Sequence, residues 1–184
     1  MATVILHDQR LLGQVEPGLG RVIKVDENTL LNDAFHKVKT AAESSDTELV
    51  IACHGYTTHS YDEMSNIRAR GGFGLQLCRE SLRGDNVSSV ATLSGYFSKI
   101  WLMACAPAGT MVHSSRPFCR DFAGYAEAPV IASDTNQRYR LGLTDHAATV
   151  SRQVLRFGQW EGNVYQFNTD GTVVRIGNSV TPLP

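Results

Sequence analysis

The sequence predicts an α/β domain built on a mostly parallel sheet, and three observations carry that prediction. Two apolar runs, beginning at Glu48 and at Lys99, end abruptly, the first in His54-Gly55 and the second in Cys105 followed by Ala106-Pro107-Ala108-Gly109. Short apolar runs bounded by turn formers read as strands buried on both faces, as in parallel sheets. A helical pattern lies between two expected strands, the strand, helix, strand unit that builds such sheets by right-handed crossover. Two alternating runs around Asn168-Thr169-Asp170-Gly171 read as a C-terminal β-hairpin.

In chain order, residues 2–6 and 21–25 are expected strands, separated by a glycine- and proline-bearing loop at 13–20. The first helix is expected after Asn28 as cap, with Leu30, Leu31, Ala34, Phe35, Val38, Ala41 and Ala42 on its apolar face. The polar stretch 56–70 is long enough to wall a groove rather than simply connect two elements. Residues 73–78 read as a short strand, and Asn86 as the cap of a helical segment towards Gly95. Ser115 and Pro117 mark a further helix with Phe118, Phe122, Ala123 and Ala126 on one face, followed by a strand over 129–134. Thr144 is expected to open a last helix, carrying Ala147, Val150, Val154 and Phe157 inward until Gly158.

With 184 residues, 42% of them hydrophobic and no low-complexity run, the chain is expected to form one domain over 1–184. A net charge of -1 gives no footprint for nucleic acid or an anionic membrane surface. No apolar stretch reaches 18 residues, and the first residues lack a basic start with a long apolar middle; a cytoplasmic protein is expected. Four cysteines without a C-x-x-C pair fit a reducing compartment, and Cys53, Cys78 and Cys119 read as buried small hydrophobes.

The chemistry is expected at the two strand ends. In an open α/β sheet, ligand sites lie beyond the carboxyl ends of the strands. Were the two apolar strands parallel neighbours, His54 and Cys105 would leave the same edge, an imidazole beside a thiol, as nucleophilic thiol catalysis requires. Gly55 would present its N–H to an oxyanion, since a side chain there would crowd the substrate. A zinc site from Cys53, His54, His59 and Cys105 is the competing reading; it is disfavoured because consecutive Cys53 and His54 on a strand point to opposite faces. No metal and no cofactor are expected.

An apolar strand ending in His-Gly, then a second ending in Ala-Cys with small residues and a glycine behind it, resembles the caspase-like cysteine peptidases of clan CD, and most closely their bacterial branch. Cys105 follows His54 by 51 positions, and the caspase histidine lies about 50 residues upstream of its cysteine. The resemblance covers roughly residues 21–135. It implies a caspase-like three-layer sandwich with helices on both faces of the sheet, Cys105 as nucleophile, His54 as its partner, and the backbone N–H groups of Gly55 and Cys105 as an oxyanion hole. A peptide or protein is then the expected substrate, and the alternative is an inactive relative that binds a peptide or protein partner through the same groove. Asp134 and Asp62 are candidate substrate-binding carboxylates for a basic side chain, while Arg138 and Arg140 would equally receive an acidic one.

Overall fold

A computed structural model describes residues 2–45, 47–55, 74–109, 115–135, 154–155, 160 and 162–178. The strands are β1 (Thr3–Asp8), β2 (Gln14–Val15), β3 (Arg21–Val25), β4 (Glu48–Ala52), β5 (His54–Gly55), β6 (Gly74–Gln76), β7 (Leu82–Arg83), β8 (Lys99–Met103), β9 (Val130–Ser133), β10 (Val154–Leu155), β11 (Asn163–Phe167) and β12 (Val173–Asn178). Two α-helices, α1 (Leu31–Ala41) and α2 (Ser115–Ala126), and a 3-10 helix over Val87–Leu93 complete the described elements.

The chain is an α/β protein on a seven-stranded sheet of order β12-β11-β9-β8-β4-β1-β3. The five strands β3, β1, β4, β8 and β9 run parallel, and the hairpin β11–β12 extends them antiparallel. The chain goes from β1 to β3 on one side, then crosses through α1 to β4 on the other. The sheet therefore reverses its winding between β1 and β4, the switch point beyond whose carboxyl ends open α/β sheets place ligand sites.

Strict alternation sorts the strand residues between two cores. Val4, Leu6, Leu49, Ile51, Ile100, Leu102, Val130 and Ala132 face Phe35 and Val38 of α1, Val90 of the 3-10 helix, and Phe118 and Phe122 of α2. Ile5, Val50, Ala52, Trp101, Met103, Ile131 and Val164 face the other way, covered by Leu11, Leu155 and Trp160. Trp160 meets Trp101 edge to face, with ring centroids 5.7 Å apart. Among the described residues, all three helical segments cover one face, so the expected helices on both faces are described on one only.

Of three local expectations, two are corrected. Asn28 does not cap α1: its N-cap is Leu30, the Asp26 carboxylate closes the preceding turn on Asn28 and Thr29, and Glu80 accepts the Leu31 N–H from across the fold at 3.1 Å. Asn86 stands at the N-cap of the 3-10 helix as expected, with its side chain turned back to accept from Arg83 N–H and donate to the Ser81 carbonyl. Val154 lies not in a helix but in β10, paired parallel with β2; the rest of the helix expected over 144–158 is outside the described residues, apart from Leu155.

Candidate active site at the carboxyl edge of the sheet

Strands β4 and β8 are parallel neighbours in the register Ala52↔Met103, and the pairing continues through Cys53 N–H to the Met103 carbonyl at 3.2 Å. The chain after each strand leaves the same edge. His54 and Gly55 turn into β5, part of a small antiparallel sheet in which His54 opposes Gln76 and Gly55 opposes Leu75 of β6. His54 is exposed and Cys105 half-buried.

Gly55 and Cys105 abut through their backbones. A Cβ at Gly55 would overlap the Cys105 carbonyl oxygen and lie 2.9 Å from its carbonyl carbon and 3.0 Å from its nitrogen. Glycine is therefore required here by the backbone behind the site, a different reason from the substrate crowding expected above.

The turn after Cys105 is held on several sides. Ala106 has φ +47°, a left-handed conformation that costs an L-residue about 1 to 2 kcal/mol. Ala106 N–H donates to the Thr135 carbonyl at 2.9 Å, and Ala108 N–H to the Ser133 carbonyl at 3.0 Å. The Cys119 thiol on α2 donates to the Pro107 carbonyl at 3.2 Å. Strain at a reactive position persists when its surroundings over-determine it, as these ties do.

The His54 ring has a defined tautomer. Its Nε2 lies 3.0 Å from the Arg10 carbonyl oxygen; a carbonyl only accepts, so Nε2 carries the proton and Nδ1 the lone pair of the neutral ring. Arg10 belongs to the turn after β1, closed by Leu11 N–H on the Asp8 carbonyl at 2.9 Å. The next carbonyl of that turn, Leu11, accepts from Nε2 of buried His7 at 2.8 Å. Burial lowers the pKa of His7, outweighing the opposing effect of that bond, and its Nδ1 has no partner among the described residues.

The sequence reading missed Asp8 and Arg10. The available signal was that the first apolar run also ends in polar residues, His7-Asp8, like the two strands that carry His54 and Cys105.

The other three cysteines are buried and differ from Cys105 in exposure. Burial raises the thiol pKa of all three, that of Cys78 to about 12, so they stay protonated. Cys53 belongs to the helix-side core, as strand alternation requires, and no group of three or more His, Cys, Asp or Glu among the described residues is arranged for a metal.

Asp134 follows β9, where both carboxylate oxygens accept from Asn163, from its N–H at 2.9 Å and its Nδ2 at 2.8 Å. It anchors the start of β11, and a substrate cation would have to share it with Asn163. Asp62, Arg138, Arg140, His59 and the stretch 56–70 lie outside the described residues. A hollow of about 270 Å³ bordered by Ala2, Thr3, Gly18 and Arg21 opens at the amino end of β1 and β3, the opposite end of the sheet from Cys105.

These features define an α/β protein with a mostly parallel sheet and a cysteine and a histidine at adjoining strand ends. No family model, curated protein or solved structure matches the chain.

Proposed function

We propose that this protein is a caspase-like cysteine endopeptidase using a Cys105–His54 dyad and no cofactor. The observation that carries the reading is the seating of Gly55 on the Cys105 backbone, which brings a half-buried thiol and an exposed histidine to one edge of the sheet. The thiol proton passes to Nδ1 of His54, and the thiolate attacks the substrate carbonyl carbon, forming a C–S bond and a tetrahedral oxyanion. The N–H groups of Gly55 and Cys105 are the proposed donors to that oxyanion; one such donor is worth about 3 to 4 kcal/mol in comparable sites. Collapse breaks the C–N bond while His54 returns the proton to the departing amine. Water, deprotonated by His54, then hydrolyses the thioester and restores the thiol.

A fluorogenic peptide library assayed with the wild type, Cys105→Ala and His54→Ala tests this. Turnover is expected to vanish in Cys105→Ala and to fall about 10²- to 10⁴-fold in His54→Ala. Saturable peptide binding with no cleavage by the wild type would replace the reading with that of a peptide-binding module.

A further inference from the structure

The turn after β1 and the chain just beyond the strand paired with His54 meet at one buried carboxylate. We propose that Asp8 is the positioning residue that fixes the His54 ring at the sheet edge it shares with Cys105. The proposal rests on the dyad reading above and adds how this chain builds it.

His54 is held on two sides. Its ring donates to the Arg10 carbonyl, and its backbone pairs with Gln76, two residues before Cys78. Asp8, with no exposed side-chain surface, binds both supports. Its Oδ1 accepts from Arg10 N–H at 3.1 Å and Arg10 Nε at 2.8 Å. Its Oδ2 accepts from Arg10 Nη2 at 2.6 Å and Cys78 N–H at 2.8 Å. Arg10 Nη2 also donates to the Cys78 carbonyl at 2.8 Å, so the ion pair grips both polar groups of that residue's backbone. Cys78 needs the grip, because its φ of +57° is left-handed.

A buried ion pair gains little stability over an apolar pair of the same shape. What this one adds is geometry: it sets the Arg10 carbonyl and the strand beside His54 in one frame. The charged and titratable groups around this junction are His7 and Asp8 of β1, Arg10 of the turn, Lys24 of β3, Asp26 after it, Glu80 after β6, and the thiols of Cys53, Cys78 and Cys105.

The test reads the iodoacetamide alkylation rate of Cys105 in the folded protein against pH, with the site mapped by mass spectrometry. His54→Ala is expected to slow alkylation at pH 7 about tenfold, and Asp8→Asn at least about threefold. The sign is diagnostic. Acting only through space, the loss of a negative charge would favour the thiolate and speed the reaction, whereas a displaced His54 slows it. In a His54→Ala background, Asp8→Asn is expected to cause no further slowing.

Slowing that persists in the double variant, or an Asp8→Asn rate at or above that of the wild type, would overturn the proposal. An unaltered profile in His54→Ala would instead overturn the dyad. Should Asp8→Asn fail to fold, Arg10→Lys keeps the backbone carbonyl and the charge but loses the fork on Asp8 and Cys78. It must then slow Cys105 in the same direction, and a wild-type rate refutes the proposal.

Discussion

Two histidines donate to consecutive carbonyls of one turn, and their surroundings give them different work. His54 is exposed and its proton is committed to Nε2, whereas His7 is sealed in, with its second nitrogen unsatisfied among the described residues. Burial lowers the folded pKa of His7 below its ordinary 6.5. The unfolded chain therefore takes up the proton first, and stability falls as pH drops from about 6.5 towards the folded value, by up to about 1.4 kcal/mol per pH unit. Asp26 and Asp170, whose pKa values lie below the usual 3.8, act in a separate window: their stabilisation is present above pH 3.8 and lost in stronger acid. Urea unfolding between pH 7.5 and 5 is expected to show a flatter acid limb for His7→Gln, which retains a donor for Leu11. Identical limbs for the two proteins would refute this account of His7.

Among the elements, the decisive contact is between the ends of β4 and β8. Gly55→Ala would drive a methyl group into the Cys105 carbonyl, and overpacking of this kind costs about 1 to 3 kcal/mol. Denaturant melting should register that loss, together with reduced alkylation of Cys105; unchanged stability and reactivity would mean that the two backbones do not meet. The strands of the seven-stranded sheet, its hairpin included, and the faces of α1 and α2 were legible because period-2 and period-3.6 patterns survive in a single sequence, whereas the two-residue strands β2, β5, β7 and β10 were not. The Asp8 clamp was not, because it joins positions 70 residues apart through a register that no local pattern encodes. Val154 fitted a helical spacing but pairs with β2, a non-local contact overriding local periodicity. Cys119 was legible as buried, yet its bond to the Pro107 carbonyl depends on how α2 docks beneath the Cys105 turn.

For the whole molecule, winding explains why the chemistry gathers where it does. The parallel strands follow one another as β1, β3, β4, β8 and β9 but lie in the order β3-β1-β4-β8-β9, so the winding reverses between β1 and β4, the point beyond whose carboxyl ends open α/β sheets place ligand sites. There the turn after β1 meets the segment after β4 through the Arg10 carbonyl and His54, and Gly55 abuts Cys105 on the other side of β4. Among the described residues, no helix is long and apolar enough to cross a membrane.

One measurement tests the central claim most directly: incubating the folded protein with a thiol-reactive peptide electrophile and locating the adduct by mass spectrometry. The account predicts a single adduct on Cys105, formed more slowly in His54→Ala, with Cys53, Cys78 and Cys119 unmodified. Equal modification of the buried cysteines, or none at Cys105, would contradict it.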